Sequence, residues 1–126
     1  MDTTISTETL NRKANASVTE YLTHRGYTIL EQNWGERETK SIDLIAIDDG
    51  AGDLVFVDVQ VESDVERGLP AEHPNRARFE QVAASYLSEH PSMRTVEIRF
   101  DIVSLVIVGD GRAFLRHHRS ALSSGD

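Results

Sequence analysis

The amino-acid sequence predicts an α/β sandwich: a mixed β-sheet carrying helices, in the order α-β-β-β-α-β with a terminal β-hairpin. Three observations carry this. Apolar residues recur at helical spacing in two stretches, residues 10–22 and 79–87. Between and after these stretches lie runs rich in Val, Ile and aromatic residues, the composition of strands. Short turns separate the first three runs, which sets them antiparallel. The second helical stretch divides the third run from the fourth, so a right-handed crossover can lay those two parallel.

The first helix spans about Ser6 to Arg25, with Leu10, Ala14, Val18, Tyr21 and Leu22 on one face. Ser6 or Thr7 can cap its start, and Gly26 can end it in the left-handed conformation. Residues 1–5 are expected to be a frayed tail. Tyr27 to Trp34 reads as the first strand and Gly35 to Lys40 as a polar turn. Trp34, the only Trp, is assigned to packing rather than to stacking on a base.

The next two strands are Ile42–Ile47 and Leu54–Val61, joined by the acidic turn Asp48-Asp49-Gly50-Ala51-Gly52-Asp53. Period-2 alternation puts Val55, Val57, Val59 and Val61 on one face, and Leu54, Phe56, Asp58 and Gln60 on the other. A turn centred on Gly50-Ala51 sets Asp43 opposite Asp58 as a cross-strand neighbour. A one-residue slip would send Asp43 to the far face. Two carboxylates so close, with no cation between them, are a usual setting for a divalent metal.

Ser63 to His73 reads as a polar loop, acidic in its first half. A second helix follows from Pro74 to His90, with an apolar stripe of Phe79, Val82, Ala83, Tyr86 and Leu87. Arg76 and Arg78 lie in its first turn, as a solvated helix end or as a phosphate clamp. Thr95 to Val108 is longer than an average strand and is expected to bend or bulge near Asp101. Gly109-Asp110-Gly111 turns the chain back into a short strand, Arg112 to His117. Arg116, His117, His118 and Arg119 form the densest basic cluster. Adjacent His residues on a strand point to opposite faces, so an edge-strand charge cluster is preferred there to a metal site. Ser120 to Asp126 is expected to be a disordered tail.

The central motifs, I-D-L-I-A followed by L-V-F-V-D-V-Q, resemble those of the YraN family, bacterial proteins with a restriction-endonuclease-like, PD-(D/E)XK fold. The likeness continues in Tyr21-Leu22, in Gly26-Tyr27 with Ile29-Leu30 and Asn33-Trp34, in Ala83-Ala84 with Tyr86-Leu87, and in Arg99-Phe100-Asp101-Ile102-Val103. It implies a three-layer sandwich, a mixed sheet flanked by helices. In nucleases of that fold two acids on neighbouring strands hold a divalent metal, and a Lys two residues later activates the attacking water. Carried over, Asp43, Asp58 and the carbonyl of Val59 would hold Mg²⁺ or Mn²⁺, and Gln60 would orient the water. The departures are as informative. Asp58 stands for the family's Glu, Gln60 for its Lys, Ser41 for the Glu before Ile-Asp, and Glu62 for its Arg. Asn15 falls near the Glu of its first helix. Gln60 can hydrogen-bond a water but brings no charge to an anionic transition state.

A chain of 126 residues with 39% apolar content suits one domain, taken as residues 1–126. The absence of Cys excludes disulfides, thiolate metal sites and a Cys nucleophile. No apolar run approaches the ~20 residues of a membrane span, and no leader pattern opens the chain, so a cytoplasmic location and no membrane partner are expected. A net charge of −8 weighs against avid nonspecific binding to DNA or RNA. A local patch from Arg76, Arg78, Arg112 and Arg116 could still hold a strand, weakly and with strong salt dependence.

Two functional classes follow: a nuclease-like protein with a degenerate metal site and weak or no catalysis, or an active Mg²⁺- or Mn²⁺-dependent endonuclease or exonuclease. The loss of family charges at Asn15, Ser41, Gln60 and Glu62 favours the first. A scaffold that binds a protein partner or a second copy of itself is a third reading.

Overall fold

The computed structural model describes residues 7–35, 41–62, 64–69, 74–108 and 112–122. The elements are α1 (Thr7–His24), β1 (Tyr27–Trp34), β2 (Ile42–Asp48), β3 (Asp53–Glu62), α2 (Arg76–Glu89), β4 (Ile98–Val108) and β5 (Arg112–His118). The expected tail 1–5, most of the turn after Gly35, parts of the loop 63–73 and the turn 109–111 lie outside the described residues. No helix among the described residues is long and apolar enough to cross a membrane.

The strands form one mixed sheet in the order β1-β2-β3-β4-β5. β1, β2 and β3 pair antiparallel in sequence, β3 and β4 pair parallel, and β5 returns antiparallel on β4. The parallel pair exists because α2 carries the chain across between them. Its N-cap is Asn75, whose side-chain oxygen accepts from the Arg78 N–H at 3.1 Å. Gly26 ends α1 at φ +90, where a side chain would be strained.

Each face of the sheet has its own core, so the domain has three layers. Ala14, Val18 and Leu22 of α1 pack on Leu44, Ala46, Val55, Val57, Val103 and Leu105. Phe79, Val82, Ala83 and Tyr86 of α2 pack on Ile45, Leu54, Phe56 and Ile102. The alternation read from Leu54–Val61, in β3, is the division between these cores. Trp34 packs edge-on against Tyr86 on the α2 side.

Three expectations are corrected. β4 does not bulge at Asp101: it pairs with β3 without a break from Ile98 to Val106. The length of the run suggested an interruption, but the strand begins only at Ile98, and Asp101 is buried with its charge balanced in place. Arg99, two residues before it on the same face, donates from Nε to Oδ1 at 2.9 Å and from a terminal nitrogen to Oδ2 at 3.0 Å. His117 Nε2 adds a contact at 2.8 Å, so His117 belongs to this buried network rather than to an exposed edge cluster. The irregularity falls instead in β1, between Ile29 and Glu31. The expected C-terminal tail is corrected at residues 120–122, while 123–126 lie outside the described residues. Ser120 N–H donates to Asp101 Oδ1 at 3.0 Å, Ala121 N–H donates to the Phe100 carbonyl at 2.7 Å, and Ala121 and Leu122 pack on the α2-side core.

Candidate carboxylate site

The turn after β2 sets the register of the site. Asp48 faces Asp53, Ala46 faces Val55 and Leu44 faces Val57. Continued by one further step, that ladder would set Asp43 opposite Asp58, the pairing a turn centred on Gly50-Ala51 requires. Asp58 shares the α2 face with Phe56, and the Asp43 carboxyl lies close enough to interact with Asp58 and Arg78.

Asp43 Oδ2 accepts the Val59 N–H at 2.7 Å, which ties the carboxylate to the neighbouring strand. Burial pushes the Asp43 carboxyl up to about 6. The Val59 N–H opposes that rise, and the adjacent charge of Asp58 adds to it. Asp58 is itself buried, and two groups reach it. Arg78, from the first turn of α2, places a guanidinium nitrogen 3.2 Å from Oδ1. Gln60 Nε2 lies 3.4 Å from Oδ2. Arg78 Nε also donates to the Ser41 carbonyl at 2.9 Å, so the side chain is held at both ends.

The structure thus brings Asp43, Asp58, Val59, Gln60 and Arg78 together. It also places Ser104, which no motif marked: Ser104 pairs with Gln60 across the parallel ladder. Gln60 Oε1 and Ser104 Oγ are buried and make no hydrogen bond. Arg116 faces Ser104 from β5, so Gln60, Ser104 and Arg116 form a row across three strands. Arg112 stands four residues along β5, exposed. Arg76 is exposed on α2 and lies 3.9 Å from Glu80. The other departures from the YraN pattern have local partners. Asn15 donates to Asn33 Oδ1 at 3.0 Å, and Glu62 accepts from Asp64 N–H at 2.9 Å. Ser104 left no trace in the sequence because its place depends on the β3–β4 register.

The donor set consists of hard oxygens, two carboxylates and the unsatisfied amide oxygen of Gln60, which suits Mg²⁺ or Mn²⁺. It is a lean set: among the described residues no group of three or more His, Cys, Asp or Glu is placed to hold a metal. An ion would displace the proton that Asp43 holds below about pH 6, and would share Asp58 with Arg78.

The family model described as uncharacterised protein family UPF0102 matches residues 14–105. A UPF0102 protein of Clavibacter michiganensis is 32% identical over 115 residues, covering 89% of this chain and 94% of the relative. One from Synechococcus sp. is 33% identical over 101 residues, covering 77% and 75%. One from Dictyoglomus thermophilum is 33% identical over 98 residues, covering 74% and 78%. The match runs from α1 into β4 and includes every residue of the carboxylate site and Ser104. At such identities the chain is a divergent relative, and it belongs to the uncharacterised protein family UPF0102, the YraN family that its motifs resemble.

Proposed function

We propose that this chain is a nuclease-like protein of the restriction-endonuclease-like fold, weakly associated with nucleic acid, with a degenerate metal site and little or no phosphodiester hydrolysis. The observation that carries this reading is the Arg78 guanidinium 3.2 Å from Asp58, beside a Gln where a nuclease of this fold has Lys. The carboxylate pair has its own internal counter-charges: Arg78 on Asp58, and a proton on Asp43 at mildly acidic pH. Asp43, Asp58 and Gln60 Oε1 would hold Mg²⁺ or Mn²⁺. When bound, such an ion supplies charge stabilisation to a phosphoryl group and acidifies water. The chain's own residues would position a phosphate through Arg116 and hydrogen-bond a water through Gln60. The alternative, an active endonuclease or exonuclease, is favoured by the unsatisfied Gln60 and Ser104 oxygens, which a bound water or substrate would satisfy.

Calorimetric titration with Mn²⁺, paired with a plasmid-cleavage assay, tests the reading. The native chain should bind Mn²⁺ only in the millimolar range and leave plasmid intact. Arg78→Gln should tighten Mn²⁺ about tenfold, because a cation beside the site is removed. Cleavage by the native chain that disappears in Asp43→Ala would establish the enzyme instead.

Binding to single- or double-stranded oligonucleotides should be measurable only at low salt. Arg76, Arg78, Arg112 and Arg116 can neutralise at most a few phosphates, so the slope of log K against log salt should not exceed about −4 in magnitude. Fluorescence anisotropy across a salt series reads it. Tight binding that survives high salt, or binding untouched by removing these arginines, would remove nucleic acid from the proposal.

A further inference from the structure

On the opposite face of the sheet, against the C-terminal end of α1, lies a second polar centre that the carboxylate site does not use. Its floor is the Arg99 network. Asp101 is fully buried, and Arg99, Asp48 and Tyr27 are nearly so. Above that floor opens a cleft of about 470 Å³ walled by Tyr21 of α1, Arg25 just beyond it, the turn residues Gly50 and Ala51, His117 of β5, and Arg119 just beyond that strand. The size suits a small metabolite.

The hydrogen-bond inventory of this cleft is lopsided. Among the described residues Asp48 is the one carboxylate that lines it, and it is saturated. Oδ1 faces the N–H groups of Gly50 and Ala51 at 3.1 and 3.4 Å. Oδ2 accepts from Arg99 at 2.8 Å and from Arg119 at 3.0 Å. Asp101 below is likewise taken up by Arg99, His117 and Ser120 N–H. Donors, by contrast, remain. Each guanidinium carries five N–H groups. Arg119 spends one nitrogen on Asp48 and is 59% exposed. Arg25 lies over the Tyr21 ring, 5.2 Å from its centroid, a contact that uses its charge but no N–H. The walls therefore offer N–H groups and no free carboxylate oxygen. A ligand that fits such walls is an acceptor-rich anion.

The aromatic wall is held in place from below. The Asp101 carboxylate, held below the usual carboxylate range, fixes the Nε2 proton of His117. His117 Nδ1 in turn lies within hydrogen-bond distance of the Tyr21 hydroxyl, at 3.2 Å. Asp101, His117 and Tyr21 thus form a hydrogen-bonded chain from the buried floor to the mouth of the cleft.

We infer that this cleft binds a small phosphate monoester, its phosphoryl oxygens clasped between Arg25 and Arg119, with Tyr21 and His117 as positioning residues. Arginine suits the role because its planar fork matches phosphate oxygens in pairs. The inference does not depend on the carboxylate site, which lies across the sheet.

Titration of the full chain with inorganic phosphate, and separately with adenosine 5′-monophosphate, by calorimetry and by NMR of the His117 and Tyr21 side chains tests it. Saturable binding of either probe is expected, with the His117 and Tyr21 resonances moving together. Tighter binding of the nucleotide would identify a phosphate carried by a nucleoside; equal binding would identify the phosphoryl group alone. Arg25→Gln, at an exposed position that leaves the floor intact, should weaken binding about tenfold, and Arg119→Gln by a similar factor. Asp43→Asn should leave it unchanged. Neither probe binding below about 10 mM, or affinity unaltered in both arginine variants, would overturn the assignment. So would saturable binding that leaves the His117 and Tyr21 resonances where they were.

Discussion

Replacing Arg99 by Met should destabilise the domain by about 3–5 kcal/mol, the range for removing one partner of a buried ionic network. The side chain makes five hydrogen bonds: two to Asp101, one each to Asp48 and Asp53, and one to the Tyr27 hydroxyl at 2.6 Å. Met fills a comparable volume, so the loss is electrostatic rather than a cavity. What remains is a fully buried Asp101 with only His117 and the Ser120 N–H to face it. Burial alone would raise the Asp101 carboxyl; hydrogen bonds from His117 and Arg99 more than reverse that, and hold it below its ordinary value. Asp48 is lowered too, chiefly by its hydrogen bond from Arg99. For a lowered carboxyl the stabilisation is present above the unfolded value, near 4, and is lost as pH falls through the folded value. The native domain should therefore lose stability on acidification below about pH 4. The Arg99→Met variant should already be weak at neutral pH, with a flattened acid limb. Arg99→Lys should recover part of the loss, since it restores charge but not the planar fork. Urea unfolding from pH 3 to pH 8 reads all three. A change under about 1 kcal/mol for Arg99→Met at pH 7 would mean that water enters the cluster and replaces the guanidinium.

How much of this was legible in the sequence depends on the range over which each feature is determined. The β2–β3 hairpin is local: a short turn and two alternating runs are enough to set its register, and the ladder from Asp48 and Asp53 to Leu44 and Val57 is the one expected. The crossover between β3 and β4 was legible for the same reason, since a helix between two strands leaves few connections. The role of Arg78 was not. Its place in the first turn of α2 is visible, but its aim depends on how α2 crosses the sheet, and it reaches Asp58 and the Ser41 carbonyl rather than solvent. Ser104 was invisible because a small polar residue in an apolar strand carries no pattern. Asp101 was misread as a break, although a signal was present. Arg99 and Asp101 are two apart on one strand, hence on one face, and an Arg and an Asp so placed can neutralise each other without leaving the sheet. The remaining partners, Tyr27 and His117, come from the first and last strands, which only the folded chain brings together.

The two polar centres sit in different electrostatic regimes, and the contrast bears on function. Around Arg99 the carboxyls of Asp48 and Asp101 are lowered and the guanidinium is held above its ordinary value, so charge there stabilises the fold. At Asp43 the sign is opposite. A group that natively prefers its proton destabilises the fold once that proton leaves, and such strain is commonly kept where a ligand is to be bound.

That sign gives the last prediction. Asp43→Asn should stabilise the domain at pH 7–8 by about 1–3 kcal/mol, following the scale of 1.36 kcal/mol per pKa unit with allowance for relaxation. The Asn oxygen can still accept the Val59 N–H, and its amide can donate toward Asp58, the arrangement that protonated Asp43 adopts. Asp43 has its folded value raised to about 6 from 3.8. Its stabilising contribution is therefore complete below about pH 4 and is lost as pH rises through 6. The difference between variant and native should be near zero at pH 4, grow across pH 5–7 and level off above. Titrations of groups remote from the carboxylate pair cancel in that difference. Adding 10 mM Mn²⁺ at pH 7.5 should raise the stability of the native chain and not that of Asp43→Asn, because only the former gains a ligand that binds the folded state. Urea unfolding of both proteins at four pH values, with and without Mn²⁺, gives the full comparison. A variant less stable than native at pH 8 would show that the Asp43 anion is compensated in the fold, most directly by Arg78, and that nothing is held in reserve for a metal. A gap that ignores pH would remove the proton from the argument. A gap that opens with pH and closes with Mn²⁺ would show that the Asp is maintained against the stability of the fold for the sake of a bound cation.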